Sequence, residues 1–386
     1  MYYVHCLNNI SKYGTDQLPD SYQLTDNIDE ATGILVRSAA MHEMEFSENL
    51  LAIARAGAGV NNIPLDRCAE EGIVVFNAPG ANANAVKELV ICSLFLGSRD
   101  IVDGISWVRD NADDENISKS VEKAKKQFAG REITGKKLGV IGLGAIGARV
   151  ANAALALGMD VYGYDPYVSV GAAWRIDPEV KHVTDLDEIF ATCDYITLHV
   201  PALESTKGMV DAHAVDLMQE GTVLLNFSRD TLVNTEAVVA GVESGKIHRY
   251  ITDFAIPGIV HTPGIIVVPH LGASTAEAED NCAAMAAAEL VDYVDNGNIR
   301  NSVNYPALNL GTPAAHRVAV LHGADEGAGD ALVAACADAG LSVANSASAQ
   351  RGNSGYTLID VAEEVSDAAA EKLGSIDGVR RVRVIA

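Results

Sequence analysis

The chain has 386 residues, 48% hydrophobic and 21% charged, which is enough for two or three domains with apolar cores. Its formal net charge of −24 argues against nucleic-acid binding, which needs a concentrated basic surface. No apolar run reaches the roughly 18 residues that span a bilayer, and the N-terminal residues lack the features of a signal peptide. The six cysteines show no paired spacing, which favours reduced thiols over disulfides or a metal site. We therefore expect a cytoplasmic protein with no bound metal and no membrane partner.

The N-terminal part of the chain alternates short apolar strands with helical segments. We predict strands at 33–38, 51–57 and 72–77. A long helix is then expected from about Asn84 to about Val108.

A strand then leads directly into the glycine-rich run Gly142-Leu143-Gly144-Ala145-Ile146-Gly147, which opens a helix. In this pattern the first glycine permits a tight turn, the second lets backbone approach a pyrophosphate, and the third lets helix and strand pack closely. The N–H groups at the helix start face the negative phosphates. Asp165 follows a second strand about 20 residues later, where a carboxylate binds both ribose hydroxyls and repels a 2′-phosphate. These residues predict a site for NAD rather than NADP.

Further strands are predicted at 195–200, 222–227, 249–253 and 265–268, with helices between them. This order is typical of a doubly wound parallel sheet. An alanine-rich helix is expected from roughly Thr275 to Asn296.

After a linker at 305–313 the predicted order becomes β-α-β-β-α-β, the ferredoxin-like arrangement. The predicted fold class is α/β, with two Rossmann-like doubly wound parallel-sheet domains and a C-terminal ferredoxin-like α+β domain. We predict a substrate-binding domain at 1–84 and 282–308, an NAD-binding domain at 85–281 and the C-terminal domain at 315–386.

Three arginines and a histidine follow predicted strands, where ligands of open α/β sheets gather. They are Arg37, Arg55, Arg229 and His270. An arginine grips a carboxylate with two hydrogen bonds, and a histidine takes a hydroxyl proton near neutral pH. The pattern suits oxidation of the hydroxyl of a small anion, with the hydride passing to NAD.

These motifs resemble the D-isomer-specific 2-hydroxyacid dehydrogenases over essentially the full length, and within that family its phosphoglycerate-oxidising members. The C-terminal domain resembles an ACT domain, a small-molecule regulatory module. Besides the glycine loop, the resemblance is carried by 35–38, 54–63, 76–82, 224–229, 269–275 and 301–306.

The resemblance implies a role for each candidate residue. Arg229 matches the arginine that binds the substrate carboxylate, His270 the catalytic acid/base, and Asp253 the acid near the nicotinamide carboxamide. The positions implied to hold phosphoglycerate are Arg37, Ser38, Arg55 and Asn61. The cofactor-binding positions are Gly142, Gly144, Ala145, Ile146, Gly147, Asp165, His199, Pro201, Thr206, Asp253 and Gly272.

The implied reaction is the NAD-dependent oxidation of 3-phospho-D-glycerate to 3-phosphohydroxypyruvate, the first step of serine biosynthesis. Two alternatives stay open: a dehydrogenase or reductase for another D-2-hydroxy acid, and a weakly active NAD(H)-binding regulatory protein. The resemblance also implies a homodimer or homotetramer.

The chain departs from the family pattern beside the catalytic histidine. The family's glutamate five residues after Asp253 is here Gly258, so protonated His270 loses a charge-assisted partner worth roughly 1.5–3 kcal/mol. We hypothesise that Asp230, which stands where the family has glycine, replaces that carboxylate. The alternative is that Asp230 points away and only adds surface charge.

The ACT-like domain also departs from the pattern of serine-binding relatives. Ala324 and Glu326 occupy the asparagine and proline positions that follow His322, and Ser342 replaces a second asparagine. The loss of two amide groups and the added carboxylate predict weak or absent inhibition by L-serine. The domain is then expected to serve assembly.

Overall fold

The computed structural model describes residues 1–385 and divides into two compact units. The first unit is Met1–Asn82 together with the chain from Ala276 onward, and the second unit is Ala83–Thr275. The three-domain division given above is finer and stays a prediction. Within the described residues, no helix has both the length and the apolar character needed to cross a membrane.

The strands, in chain order, are β1 (Tyr2–Cys6), β2 (Tyr22–Leu24), β3 (Gly33–Val36), β4 (Ala52–Arg55), β5 (Val74–Phe76), β6 (Lys137–Ile141), β7 (Asp160–Tyr164), β8 (Lys181–His182), β9 (Tyr195–Leu198), β10 (Thr222–Asn226), β11 (Ile247–Thr252), β12 (Ile265–Val267), β13 (His316–Gly323), β14 (Val343–Arg351), β15 (Ser354–Val361) and β16 (Val379–Ile385). The α-helices are α1 (Lys12–Thr15), α2 (Leu65–Glu70), α3 (Ala83–Ser98), α4 (Ile101–Asp110), α5 (Ile117–Ala124), α6 (Gly147–Ala156), α7 (Val170–Ala173), α8 (Leu186–Thr192), α9 (Ala212–Leu217), α10 (Thr235–Glu243), α11 (Ala276–Asn296), α12 (Ala328–Asp338) and α13 (Asp367–Gly374). Three short 3-10 helices lie at Ile28–Glu30, Lys125–Phe128 and Asp230–Leu232.

The first unit contains a five-stranded parallel sheet in the order β2-β1-β3-β4-β5. Its central strands are continuous apolar runs because parallel sheets are covered on both faces. The long helix α11 packs on one face so closely that a Cβ at Gly33 would lie 2.6 Å from Leu290 Cδ1. In the register of β3 and β4, Val36 stands beside Arg55. The carboxyl ends of these strands therefore bring Arg37 and Arg55 to the same edge.

The second unit contains a seven-stranded parallel sheet in the order β12-β11-β10-β9-β6-β7-β8. Helices α3 and α6 cover one face, and α8, α9 and α10 cover the other. The chain reverses its direction of travel across the sheet between β6 and β9. A doubly wound sheet binds its ligand in the crevice at such a switch point. The predicted fold class is confirmed.

We predicted one continuous helix from about Asn84 to about Val108. This prediction is wrong, because the segment forms two helices, α3 and α4. The Ser98 carbonyl accepts the Arg131 backbone N–H at 2.9 Å and so does not continue the helical pattern. The Ser98 hydroxyl donates to Leu94 O at 2.6 Å. Tertiary hydrogen bonds to a distant segment therefore end α3.

Residues 316–385, here called the C-terminal module, have the predicted β-α-β-β-α-β order. Their antiparallel sheet runs β14-β15-β13-β16. One face packs on α12 and α13 through side chains such as Val318 and Ile359. The other face joins the core of the first unit, where the Tyr356 hydroxyl donates to Gly297 O at 2.6 Å. The central strands β13 and β15 are buried, whereas the edge strand β14 is largely exposed.

Candidate active site

The three glycines of the loop after β6 each meet a different steric constraint. Gly142 has φ 91°, and a Cβ there would lie 2.6 Å from His199 O. A Cβ at Gly147 would overlap the carbonyl oxygen of Gly142. At Gly144 an added Cβ would meet no described atom within 4 Å. The first and third glycines thus serve the fold, and the second leaves open space at the loop.

The start of α6 presents donors beside an oriented carboxylate. The backbone N–H groups of Ala145 and Ile146 have no hydrogen-bond partner within residues 1–385. The Asp165 carboxylate accepts the Leu143 N–H at 2.8 Å and the Tyr167 N–H at 2.9 Å. Backbone N–H groups at a helix start favour an anion. The arrangement therefore fits a phosphate at the loop and a hydroxylated ring at Asp165.

The segment after β9 lies against the glycine loop. His199 Nε2 is 2.9 Å from the Thr197 hydroxyl, and its Nδ1 is buried with no partner among the described residues. Burial lowers the pKa of His199 to about 3, so the ring stays neutral near the phosphate position. The Thr206 hydroxyl donates to Pro201 O at 2.6 Å and accepts the Leu203 N–H at 2.9 Å. Thr206 thereby fixes the turn that contains Pro201.

His270 lies just past β12 in a strained backbone conformation. Its φ of 45° is the sole positive value at a non-glycine residue among the described residues. Such strain costs roughly 1–3 kcal/mol and clusters at functional sites. The His270 N–H donates to Asp253 O at 3.1 Å and to Val268 O at 2.9 Å. The imidazole packs edge-on against Phe254, with ring centroids 5.4 Å apart.

The carboxylate of Asp253 is buried beside His270. Its Oδ2 accepts the Gly272 N–H at 3.4 Å, whereas its Oδ1 is buried with no partner among the described residues. Burial raises the pKa of Asp253, and the nearby His270 and Arg229 charges and the Gly272 N–H lower it. His270 and Arg229 are therefore each within electrostatic reach of Asp253.

A buried amide shapes the turn that carries Arg229. Asn226, which is fully buried, donates from Nδ2 to Arg229 O at 2.8 Å and accepts the Ser228 N–H at 3.2 Å. The Ser228 hydroxyl donates to Leu198 O at 2.7 Å. The Arg229 side chain is exposed, and its Nη1 donates to Ser228 O at 2.6 Å. Sequence reasoning included Asn226 in a motif but gave it no role.

The position of the family glutamate carries no carboxylate in this chain. A Cβ at Gly258 would have Thr235 Cγ2, 4.0 Å away, as its one described neighbour within that distance. Asp230 opens a 3-10 helix after β10, the strand that pairs with β11. Burial raises the pKa of the Tyr250 phenol, and the Asp230 charge adds to that rise. The His270 charge lowers the pKa of the Asp253 carboxyl, so Asp253 is a carboxylate close enough to interact with His270.

The substrate-binding candidates Arg37, Ser38, Arg55 and Asn61 all belong to the first unit. Asn8 Oδ1 accepts the backbone N–H groups of Arg37, Ser38 and Ala39 at 2.9, 2.9 and 3.1 Å. Arg55 Nε donates to Arg37 O at 3.1 Å. The loop after β3 is therefore fixed by three hydrogen bonds to Asn8 and one from Arg55. No local pattern in the sequence indicated the role of Asn8.

Asn61 lies on the exposed loop after β4, where its carbonyl accepts from His42 Nε2 at 2.9 Å. Arg37 also forms an ion pair with Glu279 of α11, with Nη2 2.7 Å from Oε1. Sequence reasoning missed this partner because it lies far away along the chain. The candidates for the catalytic and cofactor-binding roles belong to the second unit.

Comparisons with known proteins show the family and the fold of this chain. The family described as "D-isomer specific 2-hydroxyacid dehydrogenase, NAD binding domain" matches residues 93–272. The D-3-phosphoglycerate dehydrogenase of Haemophilus influenzae is 31% identical, over 92% of this chain and 86% of its own length. This chain belongs to the D-isomer-specific 2-hydroxyacid dehydrogenase family. The D-3-phosphoglycerate dehydrogenase of Escherichia coli (strain K12) is 32% identical, over 95% of this chain and 90% of its own.

Solved structures place this dehydrogenase in the same fold. The NAD+-bound 3-phosphoglycerate dehydrogenase of Entamoeba histolytica is similar with a TM-score of 0.62 and 25% identity, covering 80% of this chain and 99% of that one. D-2-hydroxyisocaproate dehydrogenase, at 21% identity, shares the fold with a TM-score of 0.65, covering 79% of this chain and 100% of that one. The chain is an NAD-dependent D-2-hydroxyacid dehydrogenase.

Proposed function

We propose that this dehydrogenase oxidises 3-phospho-D-glycerate to 3-phosphohydroxypyruvate, the first step of serine biosynthesis. The observation that carries the proposal is the pair Arg37 and Arg55, which the adjacent strands β3 and β4 bring to one sheet edge of the first unit. Arg229, which follows β10 of the second unit, is a third candidate arginine. One guanidinium suffices for a carboxylate, so two more suit a second, phosphate anion. The relatives at 31% and 32% identity carry the name of this activity.

The residues around the glycine loop fit NAD. Its pyrophosphate would lie at the free N–H groups of Ala145 and Ile146, with Gly144 leaving room for close approach. Asp165 would hold the ribose hydroxyls. The buried Asp253 Oδ1, which has no described partner, suits the carboxamide N–H of the nicotinamide. Further contacts are assigned to Gly142, Gly147, His199, Pro201, Thr206 and Gly272.

His270 accepts the hydroxyl proton of the substrate, and Arg229 binds its carboxylate and polarises the carbonyl that forms. Bound NAD supplies the hydride acceptor. The strained backbone of His270 and its edge contact with Phe254 restrict the imidazole, which lowers the entropy cost of reaching the reactive geometry. General-base catalysis of this kind contributes typically 10²–10⁴-fold.

We assign to Asp253, the buried carboxylate beside His270, the partner role that the family glutamate has at the position of Gly258. Its buried carboxylate is electrostatically coupled to His270. Asp230 remains the second hypothesis for this role. Asp230→Ala with unchanged activity and unchanged pH profile would exclude it.

Gly258 also favours one competing function, a weakly active NAD(H)-binding regulatory protein. A dehydrogenase for another D-2-hydroxy acid is the third possibility.

Assembly as a homodimer or homotetramer is part of the proposal. The apolar face of α4 supports it, because four of its side chains are more than 40% exposed: Ile101, Val102, Ile105 and Val108.

One assay separates these functions. NADH formation is measured with 3-phospho-D-glycerate, D-glycerate, D-lactate and D-2-hydroxyglutarate, and NAD binding is measured in parallel by calorimetry. We expect the highest kcat/KM with 3-phospho-D-glycerate. A higher value with another acid would overturn the substrate assignment, and NAD binding without turnover of any acid would support the regulatory function.

A further inference from the structure

The guanidinium of Arg37 already holds a carboxylate. Its Nη2 lies 2.7 Å from Glu279 Oε1, and the two side chains are 41% and 43% exposed. Glu279 stands in the first turn of α11, and Arg37 follows β3. The backbone of Arg37 is fixed on two sides, by Asn8 Oδ1 and by Arg55 Nε. The ion pair therefore joins a positioned arginine to a carboxylate on a rigid helix.

Both arginines of this edge act on a buried group beside Glu279. Burial raises the pKa of Cys282, the Arg55 and Arg37 charges lower it, and the Glu279 charge raises it. Arg37, Arg55 and Glu279 thus lie within electrostatic reach of the same thiol, one turn along α11. The proposed phosphate site therefore has two positive charges, on Arg37 and Arg55, and one negative charge, on Glu279.

We propose that Glu279 is a specificity-determining residue that competes with the substrate phosphate for Arg37. This inference rests on the proposed phosphate-binding role of Arg37. A phosphate dianion that binds Arg37 at Nη2 displaces the carboxylate, and the nearby carboxylate charge still repels it. Glu279 should weaken the binding of small anions such as inorganic phosphate most, because these anions have no second anionic group that could be bound elsewhere. A substrate that is also held by a second anionic group outcompetes Glu279.

The test compares the full-length wild type with Glu279→Gln and with Glu277→Gln. Glu277→Gln is the control, because it removes one negative charge from another exposed residue in the first turn of α11. We expect Glu279→Gln to lower KM for 3-phospho-D-glycerate about three- to tenfold and leave kcat within about twofold, because exposed ion pairs are weak. It should strengthen inorganic phosphate binding, measured by calorimetry, by a similar factor. Glu277→Gln should change neither value by more than about a third of that effect.

A second pair of variants excludes a merely structural role. Glu279→Gln should give no gain in the Arg37→Gln background, since the competition requires the guanidinium. The gain should also shrink as KCl is raised, because salt screens exposed charges. An unchanged or weaker phosphate affinity in Glu279→Gln would overturn the proposal, as would an equal gain in Glu277→Gln.

The two proposals fail in different ways. If the wild type does not oxidise 3-phospho-D-glycerate, the proposed function fails, yet inorganic phosphate binding to the three proteins still tests the role of Glu279. If the wild type oxidises it and Glu279→Gln leaves KM and phosphate affinity unchanged, the inference about Glu279 fails alone.

Discussion

The proposed ligand-binding edges of the two parallel sheets are built from different groups. In the second unit, the edge consists of backbone: Gly142 in a left-handed conformation, unpaired N–H groups at α6, and Asp165 held by two backbone donors. In the first unit, it consists of opposed side-chain charges, Arg37 and Glu279. A site made of backbone is encoded by a few adjacent residues. A site made of charges depends on partners from distant segments.

The charged first unit is where we expect the largest effect on stability. Arg317 is fully buried, with Nε 2.6 Å from Asp360 Oδ1 and with Nη1 donating to Asn296 O and Gly311 O. Arg317→Leu leaves the carboxylate and both carbonyls without their partner. The free energy of unfolding should fall by about 3–5 kcal/mol, measured by urea denaturation.

Arg300 supplies the control for that experiment. Its ion pair with Asp292 is 66% exposed on the arginine side. Arg300→Leu should cost no more than about 1 kcal/mol, as exposed pairs do. Equal losses from the two variants would contradict the view that a buried charge, Arg317, fixes the C-terminal module to the rest of the first unit.

The backbone edge of the second unit should separate folding from binding. Gly147→Ala places a methyl group on the carbonyl of Gly142, so the free energy of unfolding should fall by about 1–3 kcal/mol. Gly144→Ala meets open space and should leave stability unchanged. It should weaken NAD binding by roughly tenfold or more, since 1.4 kcal/mol of lost contact is one decade. Calorimetry with NAD and thermal unfolding of both variants measure the contrast.

The sequence predicted the backbone edge well and the charged edge poorly, for a physical reason. Gly142, Gly147 and Asp165 lie in one β-α-β unit, so their spacing alone indicates the turn and a dinucleotide site. Glu279 and Asn8 are brought to Arg37 only by the packing of α11 and the order of the sheet. The sequence also did not indicate the break between α3 and α4, because the Ser98 carbonyl accepts a hydrogen bond from Arg131, which is distant along the chain.

A buried acid in the first unit gives a pH-dependent prediction. Burial raises the pKa of Glu289 from 4.5 to about 7, although Asn301 donates to its Oε1. Between those pH values the folded state binds more protons than the unfolded state, so stability falls as pH rises through this window. Glu289→Gln should abolish the fall and raise the free energy of unfolding at pH 8 by up to about 3 kcal/mol. Urea denaturation of the wild type and of Glu289→Gln at pH 5 and pH 8 measures these free energies of unfolding.

Glu289→Gln should bring little gain at pH 5, where the native glutamic acid is already neutral. A gain of equal size at both pH values would mean that the amide improves packing and that the charge is not the cause. No gain at either value would mean that the carboxylate is not destabilising when buried.

The smallest expected effect concerns the C-terminal module. His322 uses both ring nitrogens internally, with Nδ1 2.6 Å from Gly323 O and Nε2 2.9 Å from the Thr357 hydroxyl. Burial lowers its pKa, which disfavours the charged ring. Asp325, Glu326 and Asp377 line the adjacent pocket and repel a carboxylate. L-Serine should therefore leave initial rates unchanged at millimolar concentration. Half-inhibition in the micromolar range would contradict this.

The role of His270 is tested most directly by His270→Gln, with His261→Gln as the matched control at another exposed histidine of the second unit. NADH formation from 3-phospho-D-glycerate and the Kd for NAD are measured on the same preparations. The account predicts that His270→Gln lowers kcat by about 100-fold or more with an unchanged NAD affinity, whereas His261→Gln keeps both values. A kcat within about twofold of the wild type in His270→Gln would contradict it, because the hydroxyl proton would then leave by another route.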